Sequence, residues 1–278
     1  MMRALWTAAS GMVSQQTNVD VIANNLSNVN TIGYKKESAQ FKSLLYQTVQ
    51  AKTTSANGET KPVGAQVGLG VRNSSITTNF VQGPITSTGL DTDFAIDGKG
   101  FFQVVNENGE TLYTRNGSFN WSLGNTVDEN GKHSIMLTNS EGLPVLDEVG
   151  QPIELDPGYD SSKITISADG FICYPDELNN PQPIGPQIGL VQFSNPAGLE
   201  KASDSTYRQT AASGEPRYEV DDEDLKKSTI RQSCLEASNV QVVDEMVNLI
   251  VAQRAYEMNS KAITTADDML SQANQLKR

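Results

Sequence analysis

Apolar residues recur every seven positions along the first thirty residues of the chain. Two rows share this spacing, offset by three residues: Leu5, Met12, Val19 and Leu26, and then Ala8, Gln15, Ile22 and Val29. Gln15 is the one polar residue in these two rows. The spacing is that of the a and d positions of a coiled coil, and it predicts an amphipathic helix from about Leu5 to Val29.

The C-terminal segment has the same periodicity with a different second row. Its first row is large and apolar: Val242, Leu249, Tyr256, Ile263 and Leu270. Its second row is mostly small or polar: Glu245, Ala252, Asn259, Ala266 and Ala273. The pattern predicts a helix from Val242 to Ala273, and the small residues of the second row would let another helix approach closely.

Both predicted helices are long for a chain of this size, roughly 37 Å for the first and roughly 47 Å for the second at 1.5 Å per residue. A hairpin of these two helices within one chain would have little core of its own. We therefore expect the apolar rows of both helices to pack against other subunits. The intramolecular hairpin is the alternative. The expected self-association residues are Leu5, Met12, Val19, Ile22, Leu26, Val29, Val242, Leu249, Tyr256, Ile263 and Leu270.

Short strand-like runs separated by turn signals fill the middle of the chain. Asn-Gly or Asp-Gly pairs stand between or after these runs, and such pairs favour the tight turns of β-hairpins. The pattern predicts a compact antiparallel β domain. The runs are residues 101–105, 111–115, 119–121, 164–166 and 171–174, and the pairs are Asn108-Gly109, Asn116-Gly117, Asn130-Gly131 and Asp169-Gly170.

Glycine and proline follow the same division of the chain. All 11 prolines lie between residues 62 and 216, and 20 of the 22 glycines lie between residues 58 and 214. Both residues are unfavourable inside helices. The predicted fold class is therefore α+β, with coiled-coil-like N- and C-terminal helices flanking a central antiparallel β-rich domain. The expected segments are an N-terminal helix (1–33), a connector (34–75), the β-rich domain (76–210), an acidic linker (211–232) and a C-terminal helix (233–278).

The acidity of the chain is concentrated in its middle. The net charge is −12, and residues 51–216 hold 9 basic and 20 acidic side chains. Such acidity disfavours binding to nucleic acid. No run approaches the roughly 20 apolar residues of a membrane span, so no membrane insertion is expected. The N-terminus lacks the continuous apolar segment of a cleaved secretory signal.

No residue pattern indicates a catalytic or ligand-binding site. His133 and two distant cysteines cannot supply the roughly four closely spaced ligands of a zinc site. The glycine-rich stretch 64–70 lacks the Lys and Ser or Thr of a phosphate loop, and the aspartates of residues 91–97 miss the spacing of a calcium loop. The acidic run 219–224 is expected to be a solvated linker. We therefore predict no enzyme activity, no cofactor and no metal.

Asparagines are concentrated where the first predicted helix ends. Asn24, Asn25, Asn28 and Asn30 stand within the ten residues that end at Gly33. One interpretation is a helix C-terminus closed by Asn30 and Gly33, since both residues tolerate a left-handed backbone. The other is that the amides hydrogen-bond between neighbouring helices and set their register in an assembly.

Three motifs, read in order, resemble the bacterial flagellar rod and hook family. The N-terminal motif is ANNLSNVNTIGYK (23–35), the central motif is AIDGKGFFQV (95–104) with YTRNGSF (113–119), and the C-terminal motif is SNV (238–240) with QRAYEMNSK (253–261). Together they extend over nearly the whole chain. The residues singled out by the resemblance are Asn24, Asn25, Asn28, Gly33, Gln253, Arg254 and Asn259.

The resemblance implies a structural role without a chemical step. The length of the chain and residues 44–72 are similar to the distal rod members of the family, in which such a stretch is associated with a straight, stiff shaft. The implied subunit is a helical homopolymer that transmits motor torque to the hook, with terminal helices lining an inner tube. Implied partners are the proximal rod, the hook, the surrounding basal-body rings and the flagellar export apparatus. Export without a cleaved signal would place the subunit in the basal body, outside the cytoplasmic membrane.

Other interpretations remain alternatives. The proline-rich residues 175–186 and the acidic residues 215–227 depart from the expected pattern, so a proximal-rod or hook-type axial subunit is the alternative within the family. An enzyme acting on peptidoglycan would show turnover that is abolished by changing one carboxylate. A monomeric β-rich binding module would stay a helical monomer at every concentration.

Overall fold

The computed structural model describes residues 2–50, 64–127, 133–176, 180–203, 205–220, 222 and 225–276. The turn predicted at Asn130-Gly131 lies outside these residues. The chain divides into two compact units. Residues 1–27, 37–79 and 241–278 form the first, here called the helical unit, and residues 28–36 and 80–240 form the second, here called the β unit.

Two long helices and two antiparallel strand pairs make up the helical unit. Its elements are α1 (Met2–Ser27), β1 (Glu37–Ser43), β2 (Tyr46–Gln50), β3 (Ala65–Gly68), β4 (Val71–Thr78) and α2 (Val242–Gln275). The two helices begin and end within a few residues of the positions that the heptad rows predict. Neither of these described helices has an apolar stretch long enough to cross a membrane.

The helices α1 and α2 of the same chain pack together through small and polar side chains. Glu245, Ala252 and Ala266 of α2 are buried, and all three belong to the second predicted row. A Cβ atom on Gly11 of α1 would lie 2.9 Å from Nδ2 of Asn259, so the helices approach closely there. The intramolecular helix pair, given above as the alternative, is therefore observed for this row.

A two-stranded ribbon completes the helical unit. β1 pairs with β4 and β2 pairs with β3. Between the two pairs, Leu44 N donates to Gly70 O at 2.9 Å and Leu69 N donates to Leu45 O at 3.1 Å. Gly70 has φ +119° and lies against Ser10 of α1, where a larger side chain would collide with the hydroxyl group.

The described part of the β unit consists of short antiparallel strands. The largest sheet has the order β16-β17-β8-β7-β15-β18, two three-stranded sheets have the orders β11-β10-β9 and β12-β13-β14, and two pairs join β6 to β19 and β5 to β20. These strands are β5 (Ile85–Ser87), β6 (Phe94–Asp97), β7 (Phe101–Val105), β8 (Thr111–Thr114), β9 (Phe119–Val127), β10 (His133–Asn139), β11 (Glu154–Leu155), β12 (Thr165–Ile166), β13 (Phe171–Pro175), β14 (Pro181–Gln187), β15 (Leu190–Gln192), β16 (Glu200–Lys201), β17 (Thr206–Arg208), β18 (Arg217–Tyr218), β19 (Thr229–Gln232) and β20 (Cys234–Glu236).

Two predicted hairpins are confirmed. Between β7 and β8, Gly109 has φ +79° and Asn106 N donates to Glu110 O at 2.9 Å. Between β12 and β13, Gly170 has φ +89°. A residue without a Cβ atom adopts these positive φ values at little cost. The predicted α+β arrangement, with packed terminal helices and a central antiparallel β-rich region, is the observed fold class.

The large apolar side chains of the β unit form its core. One cluster contains Phe94, Phe102, Phe119 and Leu137, and a second contains Phe101 and aromatic neighbours. In the second cluster the rings of Tyr113 and Phe193 meet edge to face, with centroids 4.8 Å apart. Each aromatic side chain buries about 150–250 Å², so burial of these rings is a major source of stability for the unit.

Candidate self-association site

The predicted apolar row of α2 is only partly accessible. Val242 and Tyr256 are 39% and 43% exposed, and Leu249, Ile263 and Leu270 are half-buried. This row therefore borders the surface on which α1 packs. It is available in part for contacts with another molecule.

A more exposed apolar face of α2 was not predicted. Its residues, here called the outer face, are 55–74% exposed: Val243, Val247, Ile250, Val251 and Met258. Neither of the two heptad rows predicted for α2 contains these side chains. The first turns of α2 carry apolar residues on nearly every side, and a helix that is apolar all round is normally buried. This pattern already indicated that α2 has a second packing face.

The predicted residues of α1 lie mostly toward the interior of the helical unit. Ile22 is buried, and Leu5, Met12, Val19 and Leu26 are half-buried. Val29, the last member of the predicted row, follows the end of α1 and is half-buried in the β unit.

Two large apolar side chains of α1 remain strongly exposed. Trp6 is 73% exposed and Val13, seven residues later, is 65% exposed. Residues seven apart lie on the same face of a helix. The two side chains therefore belong to one apolar face of α1.

Asn25 joins α1 to two other elements of the helical unit. Its side-chain Oδ1 accepts from Glu37 N at 2.9 Å, and its Nδ2 donates to Glu37 O at 2.8 Å and to Glu245 Oε2 at 3.2 Å. Asn25 and Glu245 are each 1% exposed. The interpretation in which an asparagine amide bonds between neighbouring helices thus describes Asn25 within one chain.

Asn24 and Asn28 of the motif contact side chains of other residues. Nδ2 of Asn24 donates to Glu37 Oε2 at 3.4 Å, and Oδ1 of Asn28 accepts from Thr31 Oγ1 at 3.0 Å. Asn28 follows the last residue of α1, so its bond with Thr31 belongs to the turn that ends the helix. The helix ends at Ser27, so Asn28 stands at its end, whereas the capping interpretation named Asn30 and Gly33.

Gly33 is required by its surroundings in the β unit. Its φ is +68°, and a Cβ atom there would lie 2.7 Å from Asn116 N. Its own N–H donates to Glu236 O at 2.9 Å. The conformation and the close backbone approach both favour glycine at this position.

The C-terminal motif residues occupy two environments on α2. Asn259 faces Gly11 of α1. Gln253 and Arg254 are exposed, and Arg254 Nη1 lies 2.7 Å from Glu257 Oε2 in an ion pair. An exposed pair of this kind contributes little to stability. Both exposed residues are therefore accessible to another molecule.

A buried cluster of three charges in the β unit was not predicted. Lys35 Nζ lies 2.5 Å from Glu236 Oε1, and Arg115 Nη1 lies 3.3 Å from Glu236 Oε2. Their side chains are 0–2% exposed. Burial lowers the pKa of the Lys35 ammonium group, and the neighbouring Glu236 opposes this effect. Burial also lowers the pKa of the Arg115 guanidinium. Two of the three residues, Lys35 and Arg115, lie in the quoted motifs, and each is the single charged residue of its stretch (23–35 and 113–119).

One residue of the acidic run is buried. Glu219 is 4% exposed, and its carboxylate accepts from Ser228 N at 2.6 Å, Ser228 Oγ at 2.8 Å and Gln192 Nε2 at 2.8 Å. The expectation of a solvated run is therefore wrong for Glu219, because three donors replace its hydration. Asp222 pairs with Arg217 at 2.5 Å, and residues 221, 223 and 224 lie outside the described residues.

The described residues offer no metal centre. Across the described ranges, no group of three or more His, Cys, Asp or Glu side chains is arranged to hold a metal ion.

Three family models match the chain in order. "Flagella basal body rod protein" matches residues 5–35, "Flagellar hook protein FlgE/F/G D1 domain" matches residues 95–174, and "Flagellar basal body rod FlgEFG protein C-terminal" matches residues 231–276. These regions contain the motifs that resemble the rod and hook family.

Relatives that match along the whole chain decide the family. The flagellar basal-body rod protein FlgG of Borreliella burgdorferi is 46% identical over 280 residues, which cover 100% of both chains. The chain belongs to the FlgG family of flagellar basal-body rod proteins. FlgG of Caulobacter vibrioides is 41% identical over 99% of this chain and 100% of its own. FlgF of the same bacterium is 34% identical over 96% of this chain and 94% of its own.

Membership of the FlgG family confirms the resemblance and the expected role. The chain is a structural subunit of the distal rod of the flagellar basal body, and the family is not enzymatic. The alternative of a peptidoglycan-acting enzyme is therefore wrong. The three matched regions contain most of α1 and α2 and much of the β unit.

Proposed function

We propose that this chain polymerises with copies of itself into a hollow helical shaft that carries motor torque to the hook. The observation that carries the proposal is the outer face of α2. Its side chains remain 55–74% exposed although the opposite face of the same helix packs against α1. A second copy of the chain is the proposed cover for this face.

The chemistry of the outer face favours such an association. Complete burial of one Val, Ile or Met side chain contributes about 1.5–3 kcal/mol. Partial burial of several such side chains therefore offers several kcal/mol per contact, part of which is offset by the entropy cost of association. Repetition of the contact along a polymer would let each subunit be held from more than one side.

The proposed assembly includes other components of the flagellum. We propose contacts with the proximal rod, the hook and the surrounding basal-body rings, and delivery by the flagellar export apparatus. The names of the relatives assign those proteins to the basal-body rod. This supports a location in the cell envelope, outside the cytoplasmic membrane.

The ribbon of the helical unit is the proposed brace between subunits. It exposes Leu45 (82%), Tyr46 (61%) and Val49 (59%), and an isolated two-stranded ribbon is marginally stable in water. Contacts with neighbouring subunits would cover these side chains and stiffen the shaft. Deletion of residues 50–66 should give curved or flexible tubes in electron micrographs, whereas equally straight tubes would contradict the bracing role.

The substitution Val247→Asp tests the self-association proposal. The full-length variant should fail to form tubes on concentration, because a carboxylate on the outer face would be buried without a partner at each contact. Its far-UV circular dichroism in dilute solution should not change, since Val247 is 55% exposed in the single chain. Electron microscopy and analytical ultracentrifugation provide the measurements.

A matched substitution separates this effect from a general effect of added charge. Val149 lies in the β unit and is 81% exposed, so Val149→Asp should assemble normally. Tubes formed equally well by Val247→Asp and Val149→Asp would overturn the assignment of the outer face. Loss of assembly in both variants would also contradict it.

A further inference from the structure

The carboxylate of Glu236 lies where three separate segments of the β unit meet. Oε1 accepts from Lys35 Nζ at 2.5 Å and from Gly83 N at 2.8 Å, and Oε2 accepts from Arg115 Nη1 at 3.3 Å. Lys35 follows α1 in the sequence, Arg115 follows β8, and Glu236 ends β20. One buried carboxylate therefore connects segments that are up to 201 residues apart in the chain.

The cluster holds two cations and one anion, and the surplus positive charge has specific neighbours. Lys35 Nζ also donates to Val81 O at 3.1 Å, and Arg115 Nη2 donates to Gly98 O at 2.9 Å. The Arg115 guanidinium lies 5.0 Å from the centroid of the Phe101 ring. Carbonyl dipoles and the negative face of an aromatic ring both favour a cation. The two cations therefore share one carboxylate, and carbonyl dipoles and a ring face supply the rest of their surroundings.

Backbone and amide contacts link the same segments around the cluster. Gly33 N donates to Glu236 O at 2.9 Å, and Ala237 N donates to Pro84 O at 2.9 Å. Asn239 Oδ1 accepts from Lys36 N at 2.7 Å. The segment before the ribbon and the segment before α2 thus depend on each other for their hydrogen bonds within the β unit.

We propose that Lys35, Arg115 and Glu236 form an ion cluster, here called the charge latch. Because of this latch, the β unit folds stably only when both of its terminal segments, residues 28–36 and 229–240, are in place. Without residues 229–240, the cations of Lys35 and Arg115 lose their carboxylate. Without residues 28–36, Glu236 loses its closest cation and the backbone donor of Gly33. The inference goes beyond the proposed function, because it concerns folding of the single subunit and does not depend on self-association.

The electrostatics of the latch predict an unequal response to substitution. Lys35→Met leaves Arg115 and Glu236 as a neutral pair. Glu236→Gln leaves two buried cations without the carboxylate that both contact, although the amide has nearly the shape of the carboxylate. Removing the anion should therefore be the more damaging change, because an uncompensated buried charge is costly.

Amide hydrogen exchange in the full-length chain tests the latch. Lys35→Met should accelerate exchange about tenfold or more at Ile230 and Ala237, which lie in the opposite terminal segment. Glu236→Gln should accelerate exchange about a hundredfold or more at Gly33 and Lys36. Exchange rates report the free energy of local opening, so reciprocal changes would reveal that the segments open together. Changes confined to the substituted segment would overturn the proposal.

The double variant Lys35→Met/Glu236→Gln distinguishes charge from packing. A latch based on charge predicts about tenfold slower exchange in the double variant than in Glu236→Gln alone, because one of the two uncompensated cations has been removed. Additive damage in the double variant would overturn the proposal. If Glu236→Gln does not fold, recovery of a folded double variant supports the latch, and failure to recover contradicts it.

An exposed ion pair of the same unit supplies the control. Arg231 Nη2 lies 2.6 Å from Asp97 Oδ2, with side chains 58% and 38% exposed. Arg231→Met should change exchange at Gly33 and Ala237 less than about twofold, since a solvated pair contributes little. Acceleration equal to that of Lys35→Met would show that any lost ion pair has this effect and would overturn the latch.

Discussion

The two units of the chain differ in how far they bury their large apolar side chains. The β unit encloses large apolar residues such as Phe94, Phe102 and Ile153, each 0–1% exposed. The helical unit buries Ala252 and Ala266 between its helices and leaves large residues of α2 in contact with solvent. The β unit thus encloses a large apolar core within one chain, whereas the helical unit leaves a continuous apolar face of α2 exposed. An amphipathic stripe therefore does not by itself identify the face that pairs within the chain.

The strongest test of this comparison is truncation of a large side chain in each unit. Phe102 is fully buried and meets Phe119 edge to face, with centroids 5.2 Å apart, so Phe102→Ala should destabilise the β unit by about 3–5 kcal/mol. Val251 is 62% exposed, and Val251→Ala should change stability by less than about 0.5 kcal/mol. Denaturant unfolding of dilute protein measures both values. Similar losses would refute the contrast between the units.

Ionisation of one buried phenol should lower the stability of the β unit in alkaline solution. Burial is the largest cause that raises the pKa of Tyr113 to about 12, and the nearby Tyr218 adds to it. Because the folded-state pKa is the higher one, this stabilising contribution is complete below pH 10 and is lost as the pH rises toward 12. The loss is about 3 kcal/mol at most, from 1.36 kcal/mol per pKa unit.

The matched reference for this titration is Tyr113→Phe. Burial lowers the pKa of Lys35 from its usual value of 10.5, which adds stability as the pH rises toward that value and so opposes the effect of Tyr113. Both proteins contain Lys35, so its contribution cancels in the difference between their unfolding free energies. A difference that does not change between pH 10 and pH 12 would contradict the assignment.

The smallest expected effect concerns a polar contact of the helical unit. Asn25→Ala removes one acceptor and two donor contacts, two of them with the backbone of Glu37, and should destabilise the helical unit by about 1–3 kcal/mol. Asn24→Ala is the matched control, since Asn24 is exposed and should cost about 0.5 kcal/mol or less. Thermal unfolding followed at 222 nm measures the difference. Equal shifts in the unfolding temperature would contradict the larger contribution assigned to the buried amide of Asn25.

Much of the local structure was predictable from the sequence. Heptad spacing located α1 and α2, and Asn108-Gly109 and Asp169-Gly170 located two hairpins, because these signals act over a few neighbouring residues. The motifs were specific enough to indicate the rod and hook family. The stripe residues predicted for self-association stay a prediction, and the outer face of α2 adds a second set.

Contacts between distant segments were not predictable in the same way. Lys35 and Glu236 are 201 residues apart, and Glu219 stood in a run that resembled a solvated linker. No local pattern shows that a charge will meet its partner in the interior. The low cost of burying such a group depends on donors and counter-charges that other segments supply.

Periodicity, turn chemistry and short motifs are local properties, and they were enough to locate the two helices, the turn-rich β middle and the family. Long-range packing selects which face of α2 pairs with α1 and which charges are buried, because two faces of a helix can both be apolar enough to pack. The choice between them depends on close approach at small residues such as Gly11 and Ala252, and on hydrogen bonds such as that between Asn25 and Glu245.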